Sequence, residues 1–332
     1  MGKVLGVNAV FHDPAAAIVV DGVTVAAAEE ERFTRRKHGK APVAFSTWEL
    51  PEQAMAFCLA EAGVEPAELD AVAYSYDPAL AQPPGDDVTA ADWEGLRTLY
   101  ARRAPLFLCT ALPGLAPGLV RWVPHHVAHA SSATFASGFD PCDVLVMDGR
   151  GERASHLAAR FAGGELEALA AQALPHSLGL LYEDLTAHLG FRRSSDEYKV
   201  MAMASFGEAT FLDDLRRLVR GDGRGGYEVG AVELTRMAPP LRPGEEFTRA
   251  HADLAASVQC RVEEILIELA TWLHSRTGNR DLVMAGGVAL NCVANSRLWR
   301  EGPYERIWVQ PAAGDAGTAL GAAMHVAAEL GD

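Results

Sequence analysis

The feature that most constrains this chain is a pattern of elements that occurs twice. An apolar strand over 3–10 is followed by a second over 16–20, a hairpin-type turn at Asp21-Gly22 and a third strand over 23–28. A helix over 51–63, opened by Pro51 and closed by Gly63, then leads to a strand over 69–76. The pattern restarts at Cys142 with a strand over 142–147 and two more, 155–161 and 165–170, around Gly163-Gly164. Helices over 178–190 and 250–277 follow, then a strand at 281–285, a helix at 290–300, a strand at 306–310 and a final helix at 317–330. A β-rich unit continued by α/β elements, twice over, predicts two related α/β subdomains, 1–140 and 141–332, facing each other. Ligands are expected in the cleft where strand ends and helix starts converge. Residues 78–118 are rich in Pro, Gly and acids and read as an insertion without an assignable element.

Charge narrows the partners. Lys+Arg 29 against Asp+Glu 44 gives a net charge of −15, which repels nucleic-acid phosphates unless a basic patch is segregated. The one dense basic run, Arg32-Phe33-Thr34-Arg35-Arg36-Lys37-His38, is short for a nucleic-acid footprint and suits a phosphate or polyhydroxylated ligand. The five cysteines are scattered, without CxxC spacing, and indicate neither a disulfide framework nor a thiolate zinc site. The N-terminus reads as a strand and not a signal segment, and no apolar run reaches the roughly 18 residues of a membrane helix. The expected location is the cytoplasm.

Six constellations carry possible chemistry. In Pro124-His125-His126-Val127-Ala128-His129, the imidazoles of His125 and His129 are four apart, on one side of a helix or of a strand. Such a pair can chelate a metal ion, and a cluster of structurally satisfied histidines is the plain alternative. Asp148-Gly149-Arg150-Gly151-Glu152 ends a buried strand, as a metal or anion site does, or as an Asx turn does. Gly314-Asp315-Ala316-Gly317 repeats the strand-end carboxylate, although Asp315 can equally be an N-cap. Gly286-Gly287 can admit an adenine or phosphate to bare backbone, or serve tight packing. Lys199, among apolar residues, suits a phosphate contact or a snorkelling surface position. His12, after the first strand, sits where a general base meets an acceptor hydroxyl, or caps a turn.

The order of these residues, together with Phe11-His12-Asp13, Glu29-Glu30-Glu31-Arg32, Ser177-Leu178-Gly179 with Tyr182, Tyr198-Lys199-Val200-Met201 and Gly286-Gly287-Val288-Ala289-Leu290-Asn291, resembles one family. It is similar to the O-carbamoyltransferases of nodulation-factor, cephalosporin and aminoglycoside biosynthesis, from residue 3 to about 330. The resemblance implies a duplicated actin/Hsp70-like α/β fold, that of the universal tRNA threonylcarbamoyl-transfer protein. It implies iron(II) or a similar divalent ion held by His125, His129, Asp148 and Asp315. Carbamoyl-adenylate, derived from ATP, would lie against Gly149, Gly151, Gly179, Lys199, Gly286, Gly287 and Asn291. His12 would be the base for a small-molecule hydroxyl, with Lys37 near the reacting groups. Ala202 stands where the family commonly has Gly. Family members continue into a second domain resembling the threonylcarbamoyl-adenylate synthase, which makes carbamoyl-adenylate. This chain stops at Asp332, so that activating half is expected either as a further domain cut off at this boundary or as a separately encoded protein. Acceptor loops are expected within 78–118 and 208–250. A tRNA threonylcarbamoyl-transferase and a non-catalytic ATP-binding module are the competing expectations.

Overall fold

The structure, a computed structural model, describes residues 2–39, 49–81, 93–242 and 244–332. They fall into two compact units, Met1–Gly138 with Gly151–Arg153 and Gln310–Asp332, and Phe139–Arg150 with Ala154–Val309.

In the first unit β1 (Lys3–Asn8), β2 (Ala15–Val20) and β3 (Val23–Glu29) form an antiparallel meander. The short helix α1 (Glu31–Thr34) and α2 (Glu52–Ala62) follow, then β4 (Ala71–Tyr74), parallel to β1. Helix α3 (Trp93–Ala111) leads to β5 (Val120–Trp122), parallel to β4, and to α4 (His125–Ser137). The strand order is β3-β2-β1-β4-β5.

The second unit repeats this plan. Strands β6 (Cys142–Met147), β7 (Ala154–Ala162) and β8 (Glu165–Ala173) form the meander. Helices α5 (Leu178–His188), α6 (Glu197–Ala204) and α7 (Leu212–Leu218) come next, with a small hairpin of β9 (Val219–Gly221) and β10 (Tyr227–Val229). The long α8 (Arg249–Thr277) precedes β11 (Asp281–Ala285), α9 (Cys292–Glu301) and β12 (Arg306–Val309). Both late strands run parallel, in the order β12-β11-β6-β7-β8. Each sheet therefore places the first of its strands in chain order at the centre. The repeated pattern in the sequence is a repeated topology.

Alternation along the strands of the first unit builds two cores. Leu5, Val7, Ile18, Val72 and Tyr74 meet Met55 and Cys58 of α2 on one face. Val4, Val19, Ala71 and Ala73 meet Ala322, Ala323 and Val326 of the last helix, α10 (Ala316–Glu329), on the other. That second face is built from small side chains, so the backbones approach closely. A Cβ placed on Gly321 would lie 1.8 Å from the Ala128 carbonyl oxygen, which packs α10 directly on α4.

This packing moves the expected boundary. A division at 140/141 assigns the whole C-terminal stretch to the second half, yet 310–332 and 151–153 belong to the first unit. A helical pattern gives the apolar face of α10 but not the sheet that it covers. The region 78–118 contains a real helix, α3, with Pro105 inside it, while 82–92 lie outside the described residues. No helix among the described residues is long and apolar enough to cross a membrane.

Candidate functional site

The first unit gathers titratable side chains at the ends of β1, β4 and β5 and at the start of α10. His125 and His129 lie on α4, fully buried, one turn apart. The four-residue spacing is thus helical. Asp315 precedes α10 and is 1% exposed. Its Oδ1 is 3.5 Å from Nε2 of His125 and 3.5 Å from Nε2 of His129. One donor atom from each of the three lies within 4.8 Å of the others. His125 Nδ1 donates to the Ser75 carbonyl oxygen at 3.2 Å, and a carbonyl can only accept. That contact fixes Nε2 as the nitrogen able to ligate, the usual service of an outer partner at a metal-binding histidine.

Burial opposes ionisation of Asp315, but the neighbouring His12 and His125 and the close approach of His125 and His129 outweigh it and hold the carboxyl well below its usual range. Its Oδ2 is buried without a hydrogen-bond partner among the described residues, with His12 Nε2 at 3.8 Å. Two imidazole nitrogens and an ionised carboxylate with an unsatisfied oxygen are a donor set that fits a divalent transition-metal ion.

Three elements hold this cluster in place. The Glu152 Oε1 accepts the backbone N–H groups of His125 and of Asp77, both at 2.8 Å. It caps the start of α4, which Pro124 leaves without a side-chain cap. The Ser75 hydroxyl donates to Asn8 Oδ1 at 3.2 Å and lies 2.9 Å from the Thr318 hydroxyl, joining β1, β4 and α10. Phe11 sets its ring against the edge of His125, centroids 4.9 Å apart, and forms an apolar wall.

His12 and Asp13 follow β1 as a tight loop. The Asn8 side-chain amide donates to the carbonyls of His12 and Asp13, at 2.9 and 3.0 Å. The Asp13 carboxylate receives His12 Nδ1 on one oxygen and His38 Nδ1 on the other, both at 2.8 Å. Burial raises the Asp13 pKa, but His12 and His38 together lower it far more, so it is ionised. Lys37 is exposed on the short turn 37–39 beside His38.

In the second unit the expected ligand-binding residues are mainly engaged with the protein itself. Asp148 ends β6, its Oδ1 accepting the Gly287 N–H at 3.0 Å and its own N–H donating to Ser155 at 2.9 Å. Gly286 has φ 92° and ψ 161°, a glycine conformation, and a Cβ there would lie 2.2 Å from the Met147 carbonyl oxygen. Gly179 packs on Gly149, where a Cβ would come within 2.6 Å of its backbone. Around Gly149 itself a methyl would meet only ordinary contacts, the nearest at 3.5 Å. Gly151 belongs to the first unit and lies against His126. Asn291 caps α9 through the Ala294 N–H at 3.0 Å and exchanges amide hydrogen bonds with Gln259. Lys199 pairs with Asp196 at 3.0 Å on an exposed face. Sequence reading quoted Asp13 and Glu152 within motifs but gave them no role of their own, and passed over Asn8, Ser75, Thr318 and Gln259; all six make hydrogen bonds that no spacing rule announces.

The carbamoyltransferase N-terminus family matches residues 3–81 and 116–324. An uncharacterised protein of Synechocystis is 38% identical across 98% of this chain, which spans 57% of that relative. Nodulation protein NolNO of Sinorhizobium fredii is 37% identical across 98% of the chain, which spans 47% of it. The chain therefore spans about half the length of these relatives. Among solved structures, HypF of T. kodakarensis superposes with a TM-score of 0.61 at 14% identity, covering 99% of this chain and 48% of that one. Component A of the (R)-2-hydroxyglutaryl-CoA dehydratase of Acidaminococcus fermentans gives 0.54 at 15% identity, covering both chains completely. The fold is the duplicated actin/Hsp70-type α/β fold.

Proposed function

The chain belongs to the carbamoyltransferase N-terminus family, and from that premise we propose that it transfers a carbamoyl group from carbamoyl-adenylate to a hydroxyl of a small-molecule acceptor. The observation that carries this reading is the buried cluster of His125, His129 and Asp315, with Nε2 of both histidines 3.5 Å from one carboxylate oxygen. We assign iron(II) or a similar divalent ion to these three residues, with Asp148 as the fourth ligand expected from its motif. Bound there, such an ion would act as a Lewis acid toward a substrate oxygen.

The chain's own groups supply the rest. An alcohol is a weak nucleophile at neutral pH, and an imidazole with an ordinary pKa near 6.5 can take its proton. His12 Nε2 is assigned that task. The acceptor oxygen bonds to the carbamoyl carbon as the carbon–oxygen bond to the adenylate phosphate breaks, leaving the carbamate and AMP. Phe11 keeps water from the His125 side. The adenylate is placed against Gly149 and Gly287, where backbone is exposed to approach, and Lys37 is assigned to the reacting groups. Lys199 and Asn291 would have to exchange the contacts with Asp196 and Gln259 for ligand contacts. Formation of carbamoyl-adenylate from ATP and carbamoyl phosphate is assigned to a further domain or a separate activating protein.

The test supplies synthetic carbamoyl-adenylate and a panel of sugars and other hydroxyl compounds, with products read by mass spectrometry. A gain of one carbamoyl group on an acceptor, dependent on the protein and released with AMP, is the expected result. Adenylate consumption without any acceptor product across the panel and with tRNA would contradict it. Threonylcarbamoyl transfer to tRNA would instead support the related tRNA-modifying activity.

A further inference from the structure

We propose that Asp13 is the positioning residue for His12, holding its imidazole in the tautomer that presents Nε2 as the proton acceptor, with His38 locking the carboxylate in place. The proposal rests on His12 being the base of the transfer reaction, and it goes beyond that reading by assigning what makes the base competent.

The geometry starts from a local exception. Side chains of consecutive residues in an extended segment point to opposite sides. Asp13 has φ 51°, in the left-handed region, and this turn brings its carboxylate back onto the preceding imidazole. Oδ2 then stands 2.8 Å from His12 Nδ1. An ionised carboxylate only accepts, so Nδ1 carries the hydrogen. The other nitrogen, Nε2, is the one directed at Asp315, at 3.8 Å. The opposite tautomer would put a hydrogen on Nε2 and remove its ability to take a proton.

The carboxylate is held at both ends. His38 Nδ1 occupies Oδ1 at 2.8 Å, and the His38 carbonyl accepts the Asp13 N–H at 3.3 Å. His38 itself has φ 60°, and its N–H donates to Glu31 Oε2 at 2.7 Å. The loop backbone is fastened from the other side by the two Asn8 contacts, at 2.9 and 3.0 Å. Rotation of the Asp13 carboxylate would break a hydrogen bond to one imidazole or the other. A base oriented in this way by a fixed carboxylate follows the same physical rule as the aspartate of a hydrolase triad.

Asp13→Asn is the informative variant, because Asn tolerates a left-handed backbone as well as Asp does. Its side chain has one oxygen and one NH₂, so it cannot accept from both imidazoles. The full chain is labelled with ¹⁵N-histidine, loaded with zinc as a diamagnetic ion, and studied about two pH units above the ordinary histidine pKa of ~6.5. The His12 signals are assigned by their loss in His12→Asn. In the unsubstituted protein His12 is expected in the Nδ1–H form, and a dominant Nε2–H form overturns the proposal without any Asp13 variant. In Asp13→Asn the Nδ1–H population should fall, and an unchanged population overturns the proposal. With an acceptor from the panel, kcat of Asp13→Asn should drop at least about 10-fold with the acceptor KM within about twofold, a part of the range for losing base catalysis. Unchanged kcat overturns the positioning role. The two ideas fail separately, since a His12→Ala protein turning over at the normal rate removes the base and leaves the tautomer result standing.

Discussion

The two units share a strand order and differ in what they place at the ends of the strands. After β1, β4 and β5 the first unit has His12, Asp13, Ser75, His125 and His129, and α10 adds Asp315. After β6 and β11 the second unit has Asp148 and then glycines, Gly149, Gly286 and Gly287, of which Gly286 is packed on backbone. One topology thus carries a cluster of titratable side chains at the strand ends in one unit and mainly glycines in the other. The fold repeats the positions, and the residue types that stand at them differ between the copies.

The widest separation between the copies is expected in turnover. His12→Ala should lower the rate of carbamoyl transfer by about 10² to 10⁴-fold while the metal content of the protein is unchanged. A steady-state assay with saturating carbamoyl-adenylate reads it, and a normal rate would make His12 a loop residue only.

The second unit should respond in stability. Gly286→Ala places a Cβ 2.2 Å from the Met147 carbonyl oxygen at a backbone conformation restricted to glycine, and should cost about 3 kcal/mol or more in urea unfolding. Gly149→Ala meets nothing closer than 3.5 Å and should stay within about 0.5 kcal/mol while weakening adenylate binding by calorimetry. Equal stability losses would erase the distinction between a packing glycine and a ligand-facing one.

Glu152→Ala removes the acceptor for the N–H groups of His125 and Asp77 and should cost about 1 kcal/mol, the usual worth of a helix cap. Glu152→Gln keeps an acceptor and should lose less. Chemical denaturation of both variants provides the check.

The smallest effect is a pH dependence lodged in β7. Burial lowers the pKa of His156, against hydrogen bonds to the carbonyls of Gly225 and Val146 that raise it. The unfolded chain then binds a proton more readily than the native one. His156 contributes its full stability above the ordinary value of ~6.5 and loses it as the pH falls below that. A His156→Gln protein should show a flatter decline in unfolding free energy between about pH 7 and pH 5 than the unsubstituted one.

Much of this was legible in the sequence. Strand β6 and helix α8 stand out through long apolar or periodic runs, and the hairpin at Asp21-Gly22 through its turn residues. The likeness to carbamoyltransferases was legible in motif order, and the family match agrees with it. Strand β5 is only three residues long, too short for an alternation to register, and Pro105 hides the continuity of α3. At the site, His125, His129 and Asp315 come together, a grouping that the resemblance implies and that spacing alone left open. The glycines were harder, because a sequence cannot tell a glycine that admits a ligand from one that admits another strand. Gly286 and Gly179 lie against backbone, and the Asn291 side chain caps α9.

The most direct test is elemental analysis of the purified protein and of Asp315→Ala, prepared and dialysed side by side. One divalent ion per chain in the unsubstituted protein and its loss in Asp315→Ala is the predicted result, with His12→Ala retaining the ion. Full metal content in Asp315→Ala, or no bound ion in protein reconstituted with iron(II) or zinc, would contradict the assignment of this cluster as the metal centre.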